Sequence, residues 1–399
     1  MKLSFNPFIF WAFIFLPLLI FQVSYGVYVD IFSYNFGSFF IKIYQFLFLV
    51  GIALTFWGIH RYKISVWNIL LILIFFTHTS LVVLTTSDAS VISFLISRVG
   101  IFLWVSIGVG CAILIKHIEV FFLKTDSAGI QNLYTLILLL LPVPLMVALY
   151  EYLLFPLATL NYQAATNGAI ILFSLLIILH ELAQKKNFII TTKLIFLTQL
   201  TFCTAALSLS GSNSIVAFWI IALFCIFYRS IRNMSFLKVS IFLSLFIVLS
   251  FIFFTSVFFE FILQSSRLSG IADGSFQINS ITSRIELLKG FKEQFMASPI
   301  FGNFAAEKYS GLDLGSYSHS IPLSLLTHTG LIGFILVSFI ILIAVLKRLT
   351  VTRSSDKVIF LLFFGISGLG SLYAFFSWTP FWFFVGLLAV HPLKEFRKI

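Results

Sequence analysis

A chain of 399 residues that is 60% apolar and only 10% charged, with a mean hydropathy of +1.09, is excluded from the soluble globular class, because its surface would lack the charge that water demands. Its apolar runs are continuous over about 20 residues, which excludes a membrane barrel built from alternating strands of about 10 residues. The net charge of +11 is explained by membrane orientation and requires no nucleic-acid partner.

At about 20 residues per span, the runs predict helices near 7–25, 37–59, 66–86, 93–115, 131–155, 165–183, 193–210, 213–228, 238–261, 320–346, 357–376 and 379–392. The expected fold is therefore an all-α integral membrane protein of about twelve transmembrane helices, a single polytopic domain over residues 1–399. Lys2 precedes the first run, and no small-x-small cleavage site follows Val23, so that run reads as an uncleaved first span. The segment Ser377–Pro380 reads as a kink within a re-entrant pair formed by the last two runs. Cys111, Cys203 and Cys225 lie inside apolar runs without CxxC spacing and read as buried small hydrophobes.

Orientation follows the basic residues. With a cytoplasmic N-terminus, most of the 25 lysines and arginines fall in cytoplasmic segments, and the C-terminus is cytoplasmic too. The short outer loops 26–36, 87–92, 156–164 and 211–212 carry none. Lys42 and Arg98 remain within spans near their outer ends. Lys42 reads as snorkelling to the headgroups; Arg98, over a turn deeper, reads either the same way or as a functional cation. The inner loops are too short for a nucleotide-binding unit, and GxGxxG and P-loop patterns are missing from the sequence.

One polar interruption stands apart, from about Gln264 to His319, within an outer loop spanning 262–319. It carries Arg267, Arg284, Lys289, Lys292 and Lys308. Ile281, Ile285, Leu288, Phe291 and Phe295 recur at helical spacing, Ser283 and Glu286 fit a capping box, and Pro299 follows the end. An amphipathic helix at the membrane surface or over a cavity is expected. Arg284 falls in its first turn, against the preference of the helix dipole, and reads as a solvated arginine or as a fork for phosphate beside helix amides.

His319 precedes Ser320, which can cap the tenth helix, and Pro322 sits in that helix's first turn. The dipole there favours neutral imidazole, the form that takes a proton, although a structural role fits as well. His328 points about 180° away on an ideal helix and reads as a packing residue. No HExxH or Asp-rich pattern indicates a metal, and no cofactor is expected.

Four runs resemble the O-antigen polymerase and O-antigen ligase superfamily. They are Ser283-Arg284-Ile285-Glu286-Leu287, Ser298-Pro299-Ile300-Phe301-Gly302, Tyr317-Ser318-His319-Ser320 and Gly330-Leu331-Ile332-Gly333. Leu209-Ser210-Gly211-Ser212-Asn213-Ser214 is similar to that family's small-residue motif between two spans. The match covers roughly residues 200–345. Two departures are Ser320 in place of the usual asparagine, and Asn213 where many members, ligases especially, carry arginine.

The resemblance implies a membrane-embedded glycosyltransferase of the bacterial inner membrane with one large periplasmic loop. It would transfer a glycan from an undecaprenyl-pyrophosphate-linked oligosaccharide without a metal. Arg284 is then assigned to the pyrophosphate and His319 to general-base or acceptor-positioning work, with Arg267, Arg98 and Asn213 as further substrate-binding positions. The missing arginine at Asn213 favours polymerase over ligase. A chain-length regulator and a flippase are the expected protein neighbours. From a different class, the chain reads as a lipid-linked oligosaccharide flippase or transporter, against which stand the absence of a visible half repeat and the off-centre loop.

Overall fold

The computed structural model describes residues 66–86, 104–105, 107–112, 115, 119, 159–183, 198, 291–292, 294–303, 320–349, 354–373 and 378–390. They form five helices: α1 (Val66–Thr86), α2 (Thr159–Ala183), α3 (Ile321–Leu349), α4 (Ser354–Tyr373) and α5 (Thr379–Ala389). No strand occurs among the described residues. The 26 residues Ile321–Leu346 of α3, with mean hydropathy 2.8, are long and apolar enough to cross a membrane. Helical residues also occur within 104–112, part of the span expected at 93–115. The other expected spans, apart from Thr198, lie outside the described residues.

Which side chains face outward bears on the medium. Along α1 the exposed large residues are Leu70, Leu73, Ile74, Leu81 and Leu84, and along α3 they are Leu331, Ile335, Phe339, Leu342 and Leu346. Steps of three and four put each set on one helix face. The same helices bury Thr79, Ser324, Thr327, His328 and Thr329. Hydrocarbon surroundings would favour apolar side chains outward and require each polar group to find a partner inside the protein, as the exposed Thr77 and Thr85 do on carbonyls of their own helix.

The helices form one connected bundle: α3 packs on α1, α4 and α5, and α4 and α5 both pack on α2. α2 is buried at every position from Ile170 to Leu179, as a helix apolar all round requires. It starts at Thr159, earlier than the expected 165, so residues 159–164 are helical although the apolar pattern places them in an outer loop. Hydropathy reports side chains, whereas the helix ladder is made by backbone, and a polar first turn costs the ladder nothing. Asn167 in this polar part donates from Nδ2 to Thr379 Oγ1 at 3.3 Å and accepts from Trp378 Nε1 at 3.0 Å, tying α2 to the start of α5.

Of the expected kink at Ser377–Pro380, residues 378–380 are described: Trp378 is extended (φ −59°, ψ 119°) and a proline stands in the first turn of α5. α5 has 11 residues. Its rise of about 16 Å is roughly half a hydrocarbon core, so it falls short of the span expected at 379–392. Every residue from Pro380 to Ala389 is buried. Trp382 stacks on Phe75 of α1 at 5.4 Å and meets Phe381 edge-on at 5.2 Å. Val105 and Gly108 cross α5 at Gly386 so closely that a Cβ on Gly108 would overlap the Phe383 carbonyl, and one on Gly386 the Val105 carbonyl. Cys111, near this crossing, is a buried free thiol; Cys203 and Cys225 lie outside the described residues.

Candidate functional site

The described residues that depart most from regular structure meet where α3 breaks. Its first segment opens after Ser320, whose carbonyl accepts the Ser324 N–H at 2.8 Å, with Pro322 in the first turn. Ser324 and Thr327 then turn their hydroxyls back onto carbonyls of the preceding turn, as does Thr329 onto Leu325. Such back-bonding satisfies hydroxyls without water and bends a helix. His328 Nδ1 lies 3.0 Å from the Ser324 carbonyl and 2.8 Å from Thr327 Oγ1. Because Thr327 donates its own proton backwards, Nδ1 carries the imidazole proton, and Nε2 is the acceptor nitrogen. His328 is thus a buried packing residue that also serves as a polar tie.

At Gly330 the helix stops (φ 63°, ψ −170°), in a region that only glycine occupies without strain. A regular helix would bond Leu331 N–H to the Thr327 carbonyl and Ile332 N–H to the His328 carbonyl. Here Leu331 N donates to Pro299 O at 2.9 Å, Ile332 N donates to Ile300 O at 3.2 Å, and the Thr327 carbonyl takes Asn303 N–H at 2.9 Å. The Thr329 carbonyl accepts from His78 Nε2–H of α1 at 2.9 Å. The Leu331 and Ile332 amides and the Thr327 carbonyl released by the break therefore find partners inside the protein.

The partner in this exchange is the end of the loop helix. Residues 291–292 and 294–297 are helical, with Phe291 and Phe295 stacked at 5.8 Å. The helix ends just before Ser298 and Pro299, the stop that the sequence pattern predicts. Its most buried described position is Gln294, a polar residue between the two phenylalanines. Gly302 N–H closes the turn on the Ser298 carbonyl at 2.9 Å. Gly302 (φ 86°) lies against Gly330 with no room between the backbones: a Cβ on either would overlap the other strand of the joint. Gly333 is small for a separate reason, since a Cβ there would run into the Thr329 side chain, with Phe75 of α1 beyond it.

His78 was the residue that sequence patterns left unremarked. It lies on α1 within Thr77-His78-Thr79-Ser80, the one polar interruption of that helix's apolar stretch, and its ring centroid is 6.5 Å from that of Phe301. Thr-His-Thr recurs at 327–329 in α3, and the two triplets meet. Thr77 and Thr79 bond back to Leu73 and Phe75, as Thr327 and Thr329 do in α3. A cluster of four threonines and two histidines inside apolar helices is the signal that could have located this joint.

The site residues expected from sequence, His319, Arg284, Arg267, Arg98 and Asn213, all lie outside the described residues. Two of the motifs that flank them do not: Ser298-Pro299-Ile300-Phe301-Gly302 and Gly330-Leu331-Ile332-Gly333 are hydrogen-bonded to one another. Among the described residues no group of three or more His, Cys, Asp or Glu could hold a metal ion. No protein-family model matches the chain, and neither a curated protein nor a solved structure matches it.

Proposed function

We propose that the protein is a bacterial inner-membrane glycosyltransferase that polymerises surface polysaccharide, joining repeat units carried on undecaprenyl pyrophosphate at the periplasmic face. The reading begins with motif order in the sequence. The observation that carries it further is the joint: the Pro299–Gly302 turn and the Gly330–Gly333 break, each weak as a sequence motif, form one hydrogen-bonded unit.

In this reading the acceptor hydroxyl attacks the anomeric carbon of the donor, and the bond from that carbon to the pyrophosphate oxygen breaks. His319 takes the hydroxyl proton. Arg284 neutralises the charge that develops on the leaving pyrophosphate, with Arg267, Arg98 and Asn213 as further contacts to the donor. A lipid pyrophosphate leaves well enough for arginines to stabilise it, so neither metal nor cofactor enters the scheme. A chain-length regulator and a flippase are its membrane neighbours. Transfer to lipid A core, the ligase reaction, differs only in the acceptor.

Deleting the gene and resolving surface glycan by gel tests the proposal. A polymerase predicts loss of the ladder with a single capped repeat retained; a ligase predicts loss of all capped core while lipid-linked polymer accumulates. Unchanged glycan would sink both. Arg284→Ala and His319→Ala should each fail to restore the ladder at normal membrane levels, and restoration by both would remove the site assignment.

The break in α3 favours one competing reading, because transporters place substrates at interrupted helices. Against it, the amides of Leu331 and Ile332 and the carbonyls of Thr327 and Thr329 are taken by the protein itself. A flippase would leave unpolymerised lipid-linked units on the cytoplasmic leaflet after deletion, with no capped core.

A further inference from the structure

Residues 291–303 fall in a polar loop by sequence, yet three of their side chains are large, apolar and open: Met296 is 65% exposed, Phe301 60% and Ile300 54%. Helix geometry fixes the depth at which they sit. α1 and α3 run antiparallel, since His78 meets Thr329 while the ring of Phe75, one turn earlier, reaches Gly333, one turn later. From Leu346, the last exposed leucine before Lys347 and Arg348, to Thr329 is 17 residues, a rise of about 25 Å. From His78, at the same level, to Leu84, the outermost exposed leucine of α1, is a further 9 Å or so. The exposed apolar surface of the two helices together is then about 35 Å tall, enough to match a hydrocarbon core of about 30 Å.

The Ile300–Phe301 turn lies inside that band. Ile300 accepts a hydrogen bond from Ile332, next to the exposed Leu331, and the Phe301 ring neighbours His78, one turn below the exposed Leu81. Lipid-facing leucines therefore bracket the turn above and below. The irregular backbone there is tied into the protein through the Gly302 and Asn303 amides and the Pro299 and Ile300 carbonyls, which reduces the cost of placing it at such depth. On the helix leading in, Lys292 is exposed one turn before Met296, on the same face.

We infer that residues 291–303 are a re-entrant element of the bilayer: Met296, Ile300 and Phe301 contact lipid chains in the leaflet at the Ile321 end of α3, and Lys292 reaches the phosphates of that leaflet. The occupant of this surface is membrane lipid, because the patch is continuous with the lipid-facing stripes of α1 and α3. The inference stands whether or not the protein is a polymerase.

Spin labels placed singly at Met296, Ile300, Phe301, Lys292 and, as a reference, Ile335 test it. The full chain, with Cys111, Cys203 and Cys225 replaced by alanine, is reconstituted in vesicles of phosphatidylethanolamine and phosphatidylglycerol. Collision with oxygen should exceed collision with a water-soluble nickel chelate at 296, 300 and 301, as at 335, and the order should reverse at 292. Nickel access at 300 and 301 would place the turn in water and overturn the inference; protection from both reagents would mean that protein covers the patch, and would overturn it equally. Chelate protection at 292 would overturn the phosphate placement. Should the cysteine variants not fold, the unaltered chain in the same vesicles can be labelled with a membrane-partitioned aryl diazirine. Adducts are expected on the peptide spanning Met296–Phe301, and their absence there, with adducts present on the α3 stripe, would overturn the inference.

Discussion

Two places in this bundle bring backbone against backbone, and they do it by opposite means. At the crossing of Gly108 and Gly386 both helices remain regular, and glycine serves by having no side chain, so that each helix touches a carbonyl of the other. Contact is by van der Waals packing alone, the ordinary glue of membrane helices. At the Gly302–Gly330 joint, glycine serves by conformation: positive φ at both residues interrupts regular structure and turns amides and carbonyls outward to be bonded across the gap. The first is a packing contact that can loosen by degrees. The second is a set of exchanged hydrogen bonds among apolar side chains, and it has no half-formed state that satisfies its polar groups.

That contrast can be broken experimentally, beginning where the effect is largest. Gly330→Ala or Gly302→Ala puts a Cβ onto the opposing backbone at positive φ, and should cost more than about 3 kcal/mol, from backbone strain and lost hydrogen bonds. The measurement is thermal unfolding in detergent followed by circular dichroism, together with the yield of monodisperse protein. A wild-type melting temperature for either variant would show that the joint is not what holds α3. Gly386→Ala should cost less, about 1–3 kcal/mol, because regular helices can move apart to accommodate a methyl. If it proves as damaging as Gly330→Ala, the distinction between the two contacts fails.

Next comes His78. His78→Phe keeps the ring beside Phe301 but removes the donor to the Thr329 carbonyl, for a loss of about 1–2 kcal/mol; His78→Gln should recover part of it by restoring an N–H. Equal stability of the two variants would indicate that packing, and not the hydrogen bond, is what matters at this position. The smallest effect should have the opposite sign. A Cβ on Gly368, exposed on α4, meets nothing within 4 Å, so Gly368→Ala should stabilise by about 0.5–1 kcal/mol through helix propensity. Destabilisation there would mean that alanine is penalised at any glycine of these helices, and the argument from specific overlaps would lose its control.

Among the described residues, the positions of α1 and α3 are legible in the sequence because apolar run length marks a helix of that length. α1 occupies the expected residues 66–86, and α3 begins within a residue of its expected start. The stop of the loop helix before Pro299 was legible for a similarly local reason, since proline cannot continue a helix. The polar beginning of α2 was not, because nothing in Thr159–Asn167 advertises membrane, and what secures it is Asn167 reaching Trp378 and Thr379, over 200 positions away. His78 was missed for the same kind of reason. One imidazole in an apolar run indicates that a partner is needed, but not which.

The sequence by itself determined that apolar runs such as Ile321–Leu346 form helices long and apolar enough to cross a membrane, because their length and composition suit a hydrocarbon core. Positions 302 and 330 stand out in it only as members of the runs Ser298–Gly302 and Gly330–Gly333, and their positive φ belongs to the structure. Only the tertiary structure decided that these two glycines belong to one joint, that His78 closes it, and that part of the polar loop lies level with exposed leucines. The physical reason is that a pattern along the chain records what each residue demands, apolar surroundings, a donor, or a free φ. Which distant residue meets that demand is settled only when the helices pack.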